Sequence, residues 1–482
     1  MKSLLFSAGL FAFALTLTAR ADTSEAGRNW PQWRGPLATG LAPEADPPLE
    51  WSETKNVKWK VPAPPGISSP IVAGDFLVLT AFDDGKLYTI AYRRADGKEA
   101  WRAEAPAKSI EAFHKIEGSP AASTPATDGK RIVSYFGSCG LFCYDLLGKE
   151  QWRMEMPTAI TAGGFGSGVS PIVEAGTVVL IRDEPGGSKV LALDLATGAL
   201  KWEQKRNSMA SWCTPIVWDA PAGKQVAAPG HVRMVGYDLA SGAEKWTYVG
   251  MPSGCCSSPV VAEGRLFFAG SSSSTAEEKG TTMPSFDSLL KDLDTDKDGA
   301  ISRAEGEKAF QGFFDNQDIN KDGQISRGEF EAIAKFYSEG QSSAFALKGG
   351  GAGELRESEI LWKRTKGLPY VASGILYRGQ YVMVKDGGIV ISCDAETGKT
   401  IFQERVAGAG RYYASPVAAG GNIYFTSLET GVITVLKAAT DKPVVVAQNP
   451  ELGERCSATP AIADDALYAR TEAHLYAFAA KN

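Results

Sequence analysis

"LDLATGALKW", Leu193–Trp202, and "YDLASGAEKW", Tyr237–Trp246, are two copies of one pattern set 44 residues apart. An Asp and a Gly that accept turn dihedrals are followed, four residues after the Gly, by a Trp on the next strand, which is the signature of a hairpin whose far strand carries a large apolar side chain. The same Gly-to-aromatic spacing recurs at Gly97/Trp101, Gly148/Trp152 and Gly398/Phe402, and Asp394 repeats the Asp. A second register runs alongside it: Ser/Thr-Pro before an apolar strand, at Pro70, Pro125, Pro171, Pro215, Pro259, Pro416 and Pro460, with Gly374 of "VASGILY" in the remaining place. Each unit has room for about four strands, and a four-stranded sheet of this kind buries its faces only against its neighbours, so the units must close into a ring. "KNVKWKVP", Lys55–Pro62, stands ahead of the first mark and can supply the outer strand of a last unit that otherwise stops at "LYAFAAKN". The expectation is a mainly β chain: an eight-bladed β-propeller of four-stranded antiparallel blades whose termini share one blade. Two stacked β-sandwiches would not call for so regular a mark.

One interval, between Pro259 and Gly374, is about 70 residues too long. It holds "DTDKDGAISRAE", Asp294–Glu305, and "DINKDGQISRGE", Asp318–Glu329, each matching the 12-residue EF-hand loop. The expected ligands are Asp294, Asp296, Asp298, the carbonyl of Ala300, Ser302 and Glu305 in loop 1. In loop 2 they are Asp318, Asn320, Asp322, the carbonyl of Gln324, Ser326 and Glu329. Hard oxygen donors suit a hard cation, and the Gly at position 6 of each loop permits the sharp turn. Flanking apolar stripes (Phe286, Leu289, Leu290, Leu293; Phe330, Ile333, Ala334, Tyr337) predict a helix on either side. The residues from Gly306 to Gln317 are expected to form one shared helix. The insertion should leave blade five between its second and third strands, which gives this division: signal peptide 1–21, propeller 22–274, calcium module 275–343, propeller 344–482.

Charge follows the same division. Between Thr275 and Gly340 there are 15 Asp/Glu against 8 Lys/Arg, so the whole of the formal charge of −6 sits in the insertion, the rest of the chain is close to neutral, and no basic face remains for nucleic acid. The N-terminus combines Lys2, an apolar run from Leu4 to Leu17 and Ala19-Arg20-Ala21, the form of a cleaved export signal, with neither a run long enough to span a bilayer nor a lipid-accepting cysteine after the cut. An exported chain, periplasmic or secreted, without a transmembrane segment or lipid anchor is expected. Seven cysteines are few for 482 residues and odd in number, so disulfides do not define the fold.

The blade pattern resembles the PQQ-like eight-bladed propellers, the superfamily shared by quinoprotein alcohol dehydrogenases and the outer-membrane assembly lipoprotein BamB. "NWPQWRGP", Asn29–Pro36, with "SSPIV" and "LTAFDDGKLYTI" downstream, is similar to exported bacterial propeller repeat proteins of that type. The resemblance implies fold more than chemistry, because the fold hosts enzymes and scaffolds alike. In the quinoproteins a vicinal disulfide lies above the quinone. "GCCSSP" offers Cys255 and Cys256 for that place, but it enters blade five rather than an early blade, and the glutamate, asparagine and aspartate set of those enzymes has no matching motif. The pair can equally be two buried thiols, or Cys256 can bridge to Cys213.

Segments just before the Ser/Thr-Pro marks should line the mouth of the ring. They carry His114, Lys115, Phe165, Trp212, Cys213, Cys255, Cys256, Tyr370, Arg411, Tyr412, Tyr413, Glu454, Arg455 and Cys456. Of these Cys255, Cys256, Trp212 and Arg411 are candidates to contact a cofactor. The expected function is a calcium-binding propeller acting as a binding or scaffold module for an unidentified protein or cell-envelope ligand. The alternatives are a PQQ-dependent oxidoreductase and a carbohydrate-binding propeller. No residue is assigned a catalytic role.

Overall fold

The computed structural model describes residues 28–185, 187–272, 284–310, 314–318 and 322–480. The expected export signal, the serine run after Ser272 and loop-2 ligand Asn320 lie outside the described residues.

Eight four-stranded antiparallel sheets follow one another along the chain. Blade 1 is Ile71–Ala73, Phe76–Asp83, Lys86–Arg93 and Glu99–Ala105. Blades 2, 3 and 4 begin at Ala126, Ile172 and Ile216, and blades 6, 7 and 8 at Ile375, Val417 and Ala461. In blade 5 the second strand, Arg265–Gly270, pairs with a third, Ser343–Lys348, and the helical insertion separates them. The ring closes as the repeat predicted: Val57–Pro62 is the outer strand of blade 8, antiparallel to His474–Ala479.

The two sequence registers become two sets of contacts between blades. On every outer strand the ladder skips one residue just ahead of the docking position, as between Glu99 and Trp101, Leu200 and Trp202, or Thr400 and Phe402. The same bulge precedes Trp59, Trp152, Trp246, Trp362 and, in blade 7, Ala447. A bulge bends the strand and re-aims its side chain, here toward the next blade. Trp152 lies on the turn glycine of blade 3, where a Cβ on Gly198 (φ +73°) would stand 2.6 Å from the ring. Its Nε1–H donates to the carbonyl of Leu195 at 2.9 Å. Trp59, Trp101, Trp202 and Trp362 make the equivalent bond to Arg94, Leu146, Leu239 and Ala395. Each turn glycine therefore receives the Trp of the preceding blade, not the Trp four residues after it. Trp246, facing the interrupted blade 5, instead donates to Gln225 within its own blade, and Gly353–Glu354 adds a short parallel strand beside it.

The second register closes a ring around the axis. The N–H of Ser69 donates to the hydroxyl of Thr124, Thr124 to Ser170, Ser170 to Thr214, Thr214 to Ser258, Ser258 to Ser373, Ser373 to Ser415, Ser415 to Thr459, and Thr459 back to Ser69. All eight distances lie between 2.8 and 3.1 Å. The residue before each Pro, or before Gly374, is Ser or Thr because its oxygen accepts the amide of the previous blade.

Residues 28–56 strap the face onto which the first strands run out. Trp30 bridges Val72 of blade 1, and the Pro31 carbonyl accepts from Thr127 of blade 2. Leu41–Ala42 adds a parallel strand to blade 7. Trp51 stacks on Phe478 of blade 8 with centroids 4.4 Å apart.

The insertion carries its own small core of Phe286, Ile301, Phe314, Ile325 and Phe330. Helices Phe286–Leu293 and Arg327–Glu339 flank it, and Ile301–Ser302 pairs with Gln324–Ile325 between the two loops. The expected shared helix is not continuous through the described residues. Helix Arg303–Gly306 gives way to turns, and helical structure returns at Phe314–Gln317. At Gly306, where a Cβ would come within 2.9 Å of the Phe314 ring, the two segments pack face to face instead of running on.

Candidate functional site

A funnel of about 400 Å³ opens along the propeller axis. Its wall carries Phe165, Trp212, Tyr370 and Tyr413, and five members of the hydroxyl ring, Ser69, Thr124, Thr214, Ser415 and Thr459, lie on it. Trp33 of the strap lines the same space. Among the residues lining it, Glu117 is the single carboxylate.

Glu117 reaches this place because the connection between blades 1 and 2 is long. The stretch around it crosses the mouth to the far side of the ring, where Arg411 Nη1 and the Tyr413 hydroxyl both donate to Glu117 Oε1, at 3.1 and 2.9 Å. Arg411 Nε also donates to Glu429 at 2.8 Å, and Arg455 donates to the carbonyl of Ile116. On the other wall Trp212 Nε1–H donates to the carbonyl of Gly166, and its ring meets Phe165 edge-on at 6.0 Å. Two of the wall aromatics are thus held in place, Trp212 by a backbone carbonyl and Tyr413 by Glu117, as suits a pre-formed cavity.

The expected mouth residues divide. Phe165, Trp212, Cys256, Tyr370 and Tyr413 line the funnel, whereas Cys213, Cys255, Tyr412 and Cys456 are buried behind it. Arg411 acts through Glu117. All seven cysteines are free thiols, so neither the vicinal pair nor the Cys213 bridge is formed. The Cys213 thiol donates to the carbonyl of Cys255 at 3.0 Å. Burial pushes the Cys256 thiol up to about 12, which leaves it protonated and a poor nucleophile at neutral pH. Sequence reasoning missed Trp33 and Glu117. Trp33 lay in the quoted "NWPQWRGP", but nothing in that stretch says that it folds back across the ring. Glu117 could have been suspected only from the 55-residue spacing of its unit, the longest apart from the insertion.

Away from the axis, Glu111, from the same crossing segment, is 2% exposed. It accepts from the Ser167 hydroxyl at 2.7 Å, while its Oε1 has no partner among the described residues. Burial raises its carboxyl to about 7, against the opposing pull of Arg182.

In the first EF-hand loop, carboxylate oxygens of Asp294, Asp296 and Glu305 lie within 4.8 Å of one another. The loop is shaped by its own amides: Gly299 N–H donates to Asp294, Ala300 N–H to Asp298, and Thr295 and Ser302 to the two oxygens of Glu305. The Ser302 and Thr295 hydroxyls donate to the same oxygens at 2.7 Å, and these with the two amides hold the Glu305 carboxyl at about 2, well below its usual range. Loop 2 repeats the arrangement, with Gly323 N–H on Asp318 and Gln324 N–H on Asp322, and the Ser326 hydroxyl on Glu329 at 2.6 Å.

The repeat, the closure and the funnel define a PQQ-like eight-bladed propeller. The chain belongs to the family described as outer membrane protein assembly factor BamB, whose model matches residues 88–283 and 352–482. An EF-hand model matches residues 286–305 and 310–334. No curated protein matches. Among solved structures, BamB from Moraxella catarrhalis is similar over 88% of this chain and 98% of its own, with 12% identity and a TM-score of 0.53. A europium-containing methanol dehydrogenase covers 95% of this chain and 99% of its own, at 11% identity and a TM-score of 0.57. The quinohemoprotein alcohol dehydrogenase from Comamonas testosteroni covers 95% and 81%, at 12% identity and a TM-score of 0.54. At such identities the likeness is one of fold.

Proposed function

We propose that the protein is an exported calcium-binding propeller that works as a binding or scaffold module, its two EF-hand loops loaded with calcium beside the mouth of the funnel. The observation that carries it is the convergence of Asp294, Asp296 and Glu305 on one point in a loop whose turns are already set by its amides. The ligands are Asp294, Asp296, Asp298, Ala300, Ser302 and Glu305 in loop 1 and Asp318, Asn320, Asp322, Gln324, Ser326 and Glu329 in loop 2. Extracellular modules bind calcium at about 10⁻⁴ to 10⁻³ M, which suits structural loading. The insertion is bolted to the funnel wall: Gln341 N–H donates to the Met251 carbonyl, and Gly340 packs against Ser253, which shares a hydrogen bond with the funnel residue Ser272. Calcium would therefore brace this side of the mouth. The binding partner is a protein or cell-envelope ligand.

A PQQ-dependent oxidoreductase is the competing reading, and the funnel does not fit it. Its one carboxylate is already held by Arg411 and Tyr413, and the adjacent thiols are unbonded. Two titrations of the mature protein separate the readings. With calcium, calorimetry should show uptake that Asp294→Ala with Asp318→Ala abolishes while the β signal in circular dichroism persists. With pyrroloquinoline quinone and an alcohol panel, no stoichiometric binding and no dye reduction are expected. Turnover of the dye would replace the scaffold with an enzyme, and absence of calcium uptake would remove the metal from the proposal.

A further inference from the structure

The EF-hand insertion touches the propeller at a second place besides its root on blade 5. Helix Phe314–Gln317 packs against the turn Ala162–Gly164, in the connection between blades 2 and 3. The root at Ser253 belongs to the connection between blades 4 and 5. The insertion therefore spans from one connection to the other, and the funnel residue Trp212 lies on the connection between them. The turn leads directly into the funnel wall: Phe165 meets the Trp212 ring edge-on, and the Gly166 carbonyl accepts from Trp212 Nε1. From the other side the segment that carries Glu117 closes on the same residues. The His114 ring lies 5.4 Å from Phe165, and a Cβ on Gly118 would stand 2.0 Å from the Phe165 carbonyl oxygen. Gly163 and Gly164 both sit at positive φ, so this stretch has little side chain to anchor it. Its position is set by what presses on it.

The helix that presses there depends on loop 2. Four residues form no stable helix by themselves. This one is completed by Asp318, the first acidic position of loop 2, whose amide donates to the Phe314 carbonyl at 3.1 Å. Asp318 is 2% exposed, and its two oxygens accept the amides of Asp322 and Gly323. Whatever fixes Asp318 therefore fixes the end of the helix. Phe314 in turn sits in the core of the insertion, against Gly306. Gln317, the residue before the loop, has a buried side-chain oxygen with no partner among the described residues. A buried acceptor without a donor weakens the docked arrangement, so that arrangement leans on the order of loop 2.

We propose that loop 2 is a calcium switch for the funnel. In the loaded protein Asp318 holds helix Phe314–Gln317 in place, the helix holds the Ala162–Gly164 turn, and the turn holds the Phe165 and Trp212 wall. In the calcium-free protein the helix loosens, the turn is released and the mouth opens from that side. Calcium does this by favouring the docked arrangement over the loose one, which is all a ligand can do to such an equilibrium. The inference rests on the calcium reading of the loops and adds what the metal controls.

The test is hydrogen exchange read by mass spectrometry on the full mature chain, at saturating calcium and in excess EGTA, with calcium uptake measured in parallel by calorimetry. The Gly164 and Gly166 amides are hydrogen-bonded to Thr161, so they report on the order of this stretch. EGTA should speed exchange in residues 161–168 on the order of tenfold, while residues 408–415 on the far side of the ring change by less than about twofold. Glu329→Gln should give the fast exchange even in calcium, and Asp318→Asn is a second variant of the same loop. Access to the funnel is read at Cys256, the cysteine that lines it. Its labelling by a methanethiosulfonate should be on the order of tenfold faster in EGTA, as local opening requires. Calcium uptake with unchanged exchange in residues 161–168, or with Cys256 labelling indifferent to calcium, would overturn the switch and leave the calcium reading standing. Faster exchange along the whole chain in EGTA would also overturn it, since the metal would then stabilise the fold at large. Absence of calcium uptake would overturn the switch and the calcium reading together.

Discussion

At the scale of single residues, the docking tryptophans tie the blades together. Trp152→Phe deletes the Nε1 bond to Leu195 and keeps most of the ring, so a loss of about 1 kcal/mol is expected. Trp152→Ala leaves a void over Gly198 and should cost about 3–5 kcal/mol, read from urea unfolding. Glu111 provides a pH signature. Its carboxyl is raised to about 7 by burial, so the folded state holds a proton that the unfolded state releases between about pH 4.5 and 7. The contribution is therefore most favourable below that window and is lost as pH rises through it. Glu111→Gln should stabilise the chain at pH 8 by on the order of 2 kcal/mol and flatten the fall in thermal midpoint between pH 5 and 8. An unchanged slope would remove Glu111 as its source.

At the scale of elements, the insertion behaves as a graft. Gly270 and Ser343 are paired ladder partners on adjacent strands, so a short hairpin turn can join them. Replacing residues 273–341 with a four-residue Gly-rich turn should leave a folded propeller, with loss of calcium uptake and local loosening around Met251 and Ser253, whose contacts come from Gln341 and Gly340. Size-exclusion chromatography and circular dichroism check this, and collapse of the β signal would show that blade 5 depends on the module. The EF-hand pattern of both loops was legible in the sequence because its 12-residue spacing is local. The interrupted helix between them was not, because the close approach of Gly306 to Phe314 is a packing event.

At the scale of the whole molecule, closure and strap make separable contributions. Removing residues 22–54 takes away Trp30, Arg34 and Trp51 but keeps Val57–Pro62, so the ring should still close at reduced stability. Removing residues 22–62 also strips blade 8 of its outer strand and takes away Trp59, which docks on the Arg94 carbonyl of blade 1. That variant should lose its single cooperative urea transition or associate through the open edge, since an unpaired strand edge recruits other chains. A monomeric, cooperative product would show that seven blades and a three-stranded eighth suffice.

The sequence by itself determined the blade count, the shared terminal blade, the site of the insertion and the calcium-loop pattern. Each of these is written in short-range spacing: a turn, a strand period or a 12-residue ligand loop repeats its physics wherever it occurs. Only the tertiary structure decided which partner each repeated residue meets. It sends a Trp to the glycine of the next blade, joins eight Ser and Thr residues far apart in the chain into one hydrogen-bonded circle, and carries Glu117 and Trp33 onto the axis. Those contacts arise from ring closure, which brings Val57–Pro62 against His474–Ala479, and no local pattern encodes where a chord across the ring will land.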